Sequence, residues 1–365
     1  MIPKISTEAQ SEGDTAAKLE DGKRIRDTPC PRCILCGGPG EFAYLNQPDR
    51  LFGAGGTWNL KRCINRDCGL IWLDPMPVPE DIGKAYAHYY THAARDGNHR
   101  AGWLKRVYKL MRREYLAGKY NYPMGSRSMA IKSLGKLLYL FPVRRNDIDS
   151  EARHLRVIPQ GRLLDVGCGS GEWLASMREL GWVVQGVDFD ENAVNVARQN
   201  GLEVHCGSLE QQNFPNDSFD AVTLNHVVEH VPDPVGTLTE CARILKPGGK
   251  LILFTPNSAS LSHQLFKQNW RGLEPPRHLN LFSMPALRQS LGLAGFRGVV
   301  FYPQIARSVI CESILLWQGR TGPFTPSDRS WPARLFAVFF NFAEWGLLKW
   351  KPSVADCVAA IVVKQ

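Results

Sequence analysis

The sequence lacks a long apolar run. Its most apolar stretch, residues 335–348, is 14 residues long and contains Asn341 and Glu344, whereas a membrane-spanning helix takes roughly 20 apolar residues. A spanning helix is therefore not expected. Residues 1–28 also lack the apolar core of a secretory leader and mix Lys, Glu, Asp, Ser and Thr, which reads as a polar tail on a cytoplasmic chain. No internal repeat is visible, which excludes a solenoid. The ten cysteines do not form a disulfide framework, because five of them crowd into residues 30–68, and that crowding is a metal pattern.

What is present is ordinary globular material. With 365 residues, 44% hydrophobic and 22% charged, the chain suits one large domain plus a small one and excludes wholesale disorder. The net charge is +9 but it is uneven: residues 100–145 carry twelve Lys or Arg against one acid, Glu114, a net of +11 that leaves −2 for the rest. A uniformly basic protein would suggest nucleic acid. A basic segment on a near-neutral chain marks a docking place instead.

Residues 161–256 alternate short β-branched or apolar runs with helical stretches, the rhythm of a parallel sheet. Strands are predicted at 162–166, 183–187, 203–206, 221–224 and 250–254, with two more near 298–302 and 357–363. Between these two lies an aromatic-rich helical insertion, about 305–352. The organisation expected is a tail (1–28), a Cys-rich module (29–78), a basic helical linker (79–150) and a large α/β domain (151–365).

Asp165-Val166-Gly167-Cys168-Gly169-Ser170-Gly171 is the strongest signal. An apolar strand ends in an acid, three alternating glycines follow, and Glu172 opens a helix whose free N–H groups would face a ligand. The spacing is not the G-x-G-x-x-G of dinucleotide sites. Asp165 would repel a pyrophosphate and suits an ammonium. Asp188, 21 residues after Gly167, ends the next strand, where a carboxylate can accept both hydroxyls of a ribose; the blander reading is a helix N-cap.

With Gly186-Val187-Asp188-Phe189-Asp190, NHVVEHVPDP (225–234) and LKPGGKLILFTPN (245–257), this loop resembles the motif series of class I S-adenosylmethionine-dependent methyltransferases, over roughly residues 160–300 plus the last strand. The resemblance implies a Rossmann-like seven-stranded sheet with its last strand antiparallel. It implies that Gly167, Cys168, Gly169 and Gly171 hold the methionine part of S-adenosyl-L-methionine, with Asp165 near its ammonium. Asp188 would bind the ribose and Phe189 would lie beside the adenine. Ser208 and Leu209 would lie along the adenine edge, Ser208 standing where many relatives have an acid. Asn225 and His226 would line the pocket beneath the methyl donor.

A proton acceptor is needed only for a weakly acidic nucleophile such as a hydroxyl. Pro275-Pro276-Arg277-His278-Leu279 resembles the PRHL segment of a methyltransferase branch frequent in surface-glycan and small-metabolite gene sets. His278, with Arg277, is the candidate catalytic residue; the alternative is that both pin the loop to the sheet. His230 reads as a structural hydrogen-bonding residue. Cys168, Cys206, Cys241 and Cys311 read as buried packing residues or inert thiols.

Cys33-x-x-Cys36-Gly37 and Cys63-x-x-x-x-Cys68-Gly69 form two knuckle-like pairs. Four thiolates in a tetrahedron suit a structural zinc ion, which would supply folding energy to a module with little core. Cys30, in Cys30-Pro-Arg-Cys33, is the competing ligand, and redox or iron–sulfur chemistry the minor alternative. The module and its linker resemble the zinc ribbon found ahead of some such methyltransferases.

In the basic segment Trp103, Leu104, Val107, Leu110, Met111 and Tyr115 recur at helical spacing, as expected of amphipathic helices packing on a core. Two sharper readings are adsorption to an anionic membrane, which the apolar stretch 331–350 favours, and a groove for a phosphorylated substrate. The reading of the whole is methyl transfer to a hydroxyl of a glycan precursor or another small metabolite, lipid-linked ones included. The alternatives are a sugar C-methyltransferase, a zinc-ribbon RNA methyltransferase and a non-catalytic cofactor-binding scaffold.

Overall fold

The computed structural model describes residues 24–87, 103–126 and 128–365. Most of the polar tail, and Arg100 and Arg127 of the basic segment, lie outside the described residues. The N-terminal part holds five strands: β1 (Asp27–Thr28), β2 (Gly40–Pro48), β3 (Thr57–Cys63), β4 (Ile71–Leu73) and β5 (Met76–Pro77). Residues 24–28, expected in the tail, instead pack on the fold: β1 pairs with β5, Ile25 is buried, and Arg26 bonds Asp81 at 2.9 Å. A 3-10 helix, Pro79–Tyr86, follows. The basic segment forms α1 (Trp103–Tyr120), α2 (Met129–Lys136) and, after a 3-10 turn at Leu137–Leu140, α3 (Pro142–Glu151).

The α/β part carries β6 (Arg162–Val166), α4 (Glu172–Glu179), β7 (Val183–Asp188), α5 (Glu191–Gln199), β8 (Glu203–Cys206), β9 (Phe219–Asn225), α6 (Pro234–Ile244) and β10 (Leu245–Pro256). Then come α7 (Leu261–Phe266), β11 (Asn280–Leu281), α8 (Met284–Leu293), β12 (Val300–Gln304), α9 (Arg307–Trp317), α10 (Trp331–Leu348) and β13 (Cys357–Val363). Seven of these strands form one sheet in the order β12-β13-β10-β9-β6-β7-β8. β13 is antiparallel to both neighbours, and the pairs from β10 to β8 are parallel. This is the mixed sheet expected of the class I fold. Its strands are apolar because helices cover both faces.

Strand order reverses at β6, which lies between β7 and β9. Ligands of open α/β sheets bind beyond the carboxyl ends of the strands at such a point. The glycine loop leaves β6 at this place.

The Cys-rich module is not a detached bead. Its sheet runs β11-β4-β3-β2, so a strand from the segment after His278 completes it. Trp72, Leu73, Leu281 and Phe282 are all buried in one apolar cluster with the central sheet.

Candidate functional site

Gly167, Gly169 and Gly171 all have positive φ, at 71°, 54° and 79°. A Cβ on Gly167 would strike the Val227 side chain, so the loop requires glycine by both conformation and space. The loop is tied to β7 by the amide of Gly167, which donates to the Val187 carbonyl at 2.7 Å.

Asp188 is buried at the end of β7. Its two carboxylate oxygens accept from the amides of Gly169 (2.7 Å) and Asp190 (2.9 Å). Burial nevertheless raises its pKa above the usual aspartate range. The cap of α5 is Asp190, which accepts from the amides of Asn192 and Ala193, so Asp188 is not needed there. Each oxygen keeps a lone pair for a further donor. Phe189 is exposed, and Tyr86 meets it edge-on, ring centroids 5.0 Å apart.

Asp165 is buried with a cation that has no signature in the sequence. Arg153, in left-handed backbone conformation, donates to Oδ1 of Asp165, and Thr223 donates to the same oxygen at 2.7 Å. The Arg153 guanidinium also lies 3.5 Å from the centroid of Trp173 on α4. Leu209 is buried, while Ser208 is exposed and its carbonyl accepts from Gln212 at 2.8 Å. Cys168 is half-buried and burial pushes its thiol pKa up, which makes it inert. Cys241 and Cys311 are buried as expected, but Cys206 is exposed: it ends β8 at the open edge of the sheet, where no neighbouring strand covers it.

Asn225 and His226 stand exposed at the end of β9. His226 Nδ1 lies 3.0 Å from Oε1 of Glu229, whose Oε2 accepts from Thr255 at 3.0 Å. Glu229 is fully buried. Burial opposes its charge, but the His226 hydrogen bond and the nearby imidazoles prevail and hold its pKa down to about 2. A carboxylate on Nδ1 places the proton there and leaves Nε2 as the acceptor. His230 Nδ1 lies 2.8 Å from the Tyr86 hydroxyl and 3.0 Å from the Arg277 carbonyl.

The structure seats Arg277 and His278 inside the protein. Arg277 is fully buried, donating to both oxygens of Asp49 at 2.8 Å, to Glu274 at 2.8 Å and to the Ala85 carbonyl at 3.0 Å. Asp49 belongs to the turn between β2 and β3, so this cluster clamps the Cys-rich module onto the segment after α7. His278 is 5% exposed, and its Nδ1 lies 2.7 Å from the Gly272 carbonyl. Burial lowers its pKa to about 4. Its ring packs edge-on against His230 at 4.7 Å.

Sulfurs of Cys33, Cys36, Cys63 and Cys68 all lie within 4.8 Å of one another, with Cys33–Cys68 at 3.6 Å and Cys36–Cys63 at 3.4 Å. Gly37 and Gly69 take positive φ behind the knuckles. The longer second knuckle closes through Asn65, whose carbonyl accepts from the amides of Cys68 (3.0 Å) and Gly69 (2.9 Å). Four convergent soft donors fit a tetrahedral zinc ion. Cys30 stands outside this group; its sulfur faces the Arg32 carbonyl at 3.8 Å.

Residues 134–300 match the family described as "Methyltransferase domain". Over 103 residues the chain is 47% identical to a ubiquinone biosynthesis O-methyltransferase of Xanthomonas oryzae pv. oryzae (strain PXO99A), covering 26% of this chain and 43% of that one. It is 39% identical over 123 residues to the protein of that name from Hahella chejuensis, covering 32% and 50%. The chain thus spans about half the length of the curated relatives it matches. A crystal structure of an S-adenosylmethionine-dependent methyltransferase from Archaeoglobus fulgidus is also similar, with 21% identity, a TM-score of 0.40, and coverage of 68% of this chain and 99% of that one.

Proposed function

We propose that this chain, which carries a methyltransferase domain over residues 134–300, transfers the methyl group of S-adenosyl-L-methionine to a hydroxyl of a small molecule. The observation that carries this reading is the pairing of the positive-φ glycine loop with the buried Asp188 carboxylate at the strand-order reversal. The glycines would admit the methionine part close to the main chain. Asp188 would accept the ribose hydroxyls, with Phe189 beside the adenine and Leu209 and Ser208 along its edge. Oδ2 of Asp165 would face the ammonium, since Arg153 and Thr223 both occupy Oδ1.

Bound S-adenosyl-L-methionine supplies an electrophilic methyl on a sulfonium sulfur, so alignment and exclusion of water are the protein's share. A hydroxyl must also lose its proton. We assign that role to His226 rather than His278. The His226 side chain is 46% exposed at the strand ends and is oriented by an ionised, buried Glu229, a base-and-orienter arrangement. His278 is enclosed, and its low pKa makes it a weak acceptor. Arg277 and His278 instead position the segment that backs this site. The O-methyltransferase relatives favour a hydroxyl as acceptor; a glycan precursor is the acceptor class suggested by the segment around His278.

We also infer a structural zinc ion on Cys33, Cys36, Cys63 and Cys68. A closed set of four thiolates leaves no open position for substrate. Metal analysis of the purified chain is expected to give about one zinc per chain.

Calorimetric titration with S-adenosyl-L-methionine tests the main reading. Saturable binding is expected, weakened at least about tenfold by Asp188→Ala, the loss of a charge-assisted contact. Absence of binding by the intact chain defeats it.

A further inference from the structure

Helix α10 is built inside out. The residues it buries are Ala333, Ala337, Asn341 and Glu344, at spacings of four, four and three along one stripe. Those it exposes are large and apolar: Trp331 is 73% exposed, Phe339 65% and Phe342 63%, and Trp350 just beyond its end 89%. The helix is anchored by its polar side, since Glu344 accepts from the Asp356 amide at 2.9 Å. A helix of a water-exposed surface shows the opposite pattern. Packing among the described residues therefore does not account for the outward ring of aromatics.

The charge around that ring selects the occupant. From Trp331 to Lys351 the single acid is Glu344, which is buried, while Arg334, Lys349 and Lys351 lie exposed beside the aromatics. The first two turns of α1 repeat the combination: Trp103, Leu104 and Val107 are exposed among Lys105, Arg106 and Lys109. No carboxylate among the described residues pairs with these three cations. A second copy of this chain is a poor partner, because a two-fold contact would press cations against cations. Tryptophans at both ends of an apolar ridge, rimmed by cations, match a headgroup boundary carrying negative charge.

We propose that α10, with the start of α1, seats this protein on the surface of a bilayer containing anionic phospholipid. The apolar ridge enters the acyl boundary and the flanking cations meet the headgroups. No helix among the described residues is long and apolar enough to cross a membrane, so the contact is one-sided. The proposal does not depend on the methyl acceptor.

The test is co-sedimentation of the full chain with phosphatidylcholine vesicles, with and without phosphatidylglycerol. Pelleting is expected with the anionic vesicles and is expected to fall with added salt. The triple variant Phe339→Ser/Phe342→Ser/Trp350→Ser should lose on the order of tenfold or more in vesicle affinity. The charge variant Lys105→Glu/Arg106→Glu/Lys109→Glu should lose at least as much, at about fivefold per removed cation. Unchanged S-adenosyl-L-methionine titrations certify that the variants fold; if the aromatic variant fails that control, the charge variant decides alone. The proposal is overturned if the wild-type chain does not pellet with anionic vesicles, or if the folded variants pellet equally well. It is overturned too if vesicle binding is absent while the same cations retain RNA, or while the aromatic variant dissociates a dimer.

Discussion

Glu229 is fully buried yet ionised, and its two hydrogen bonds, to His226 and Thr255, explain how. The hydrogen bond from Nδ1 to that carboxylate gives His226 a fixed tautomer at the mouth of the sheet. His226→Gln is therefore expected to lower kcat by about 10²–10⁴-fold, the usual worth of a positioned base, with S-adenosyl-L-methionine affinity unchanged. Steady-state kinetics on a hydroxylated acceptor check this; unchanged kcat removes His226 as base. His278→Gln should act mainly on stability. The folded pKa of His278 is depressed, so between about pH 4 and 6.5 the unfolded chain binds more protons than the native one. Its contribution accordingly grows as pH rises through that window and disappears on acidification. Thermal unfolding against pH should show a shallower acid limb in His278→Gln than in the wild type. Asp49→Asn leaves the enclosed Arg277 guanidinium short of one counter-charge, and a loss of about 3–5 kcal/mol is expected in denaturant melts. The glycine loop and Asp188 follow strand ends at offsets readable in the sequence, whereas His226 entered there only through the resemblance, as a pocket-lining residue and not as the base. Arg153 and Asp49 were not legible there, because each meets its partner, Asp165 and Arg277 respectively, only after the chain has folded.

At the level of elements, local pattern sufficed for the central sheet. The expected strands at 162–166, 203–206 and 357–363 have the observed bounds, because each is a β-branched or apolar run closed by turn residues. The basic helices were legible as helices but not in their burial. Tyr115, Leu116 and Tyr120 do pack inward, whereas Trp103, Leu104 and Val107 of the same expected core face lie exposed. Periodicity fixes which residues share a face, and tertiary contact decides whether that face is covered. α10 makes the same point more sharply, since its covered stripe holds two alanines, Asn341 and Glu344 while most of its large apolar side chains face outward. There, burial drives up the pKa of both Glu344 and Asp356, and Glu344 is raised further by the charge of Asp356. A raised folded pKa means that the native state holds protons the unfolded chain has released. The contribution of this pair to stability is thus greatest below the ordinary carboxyl range and falls as pH rises toward neutrality. Glu344→Gln and Asp356→Asn are expected to flatten this decline, seen as a smaller drop in Tm between acid and neutral solution. Wild-type-like slopes in both variants would show that the pair does not titrate on unfolding.

Across the whole molecule, the Cys-rich module and the α/β domain share a sheet, a core and an ion cluster. β11 reaches from the domain to β4; Ser283 donates to the Cys68 carbonyl at 3.2 Å, and Arg277 joins Asp49 to Glu274. The sequence pattern divides the chain at about residue 78, since a cysteine knuckle pattern ends there and a helical one begins. The three-dimensional division is weaker, because the strand that completes the module's sheet comes some 200 residues later. A metal ion that orders Cys33, Cys36, Cys63 and Cys68 would therefore stabilise the backing of the proposed site as well as its own knuckles. Stripping zinc with a chelator, or the Cys33→Ser/Cys36→Ser variant, is expected to lower a single calorimetric transition by several kcal/mol and to weaken S-adenosyl-L-methionine binding with it. Two separate transitions, with only the smaller responding to the chelator and cofactor affinity untouched, would mean that the module folds by itself and that its contacts with the domain carry little energy. One joint transition is what the shared strand requires, because losing the knuckles leaves β11 without its partner and Arg277 without Asp49.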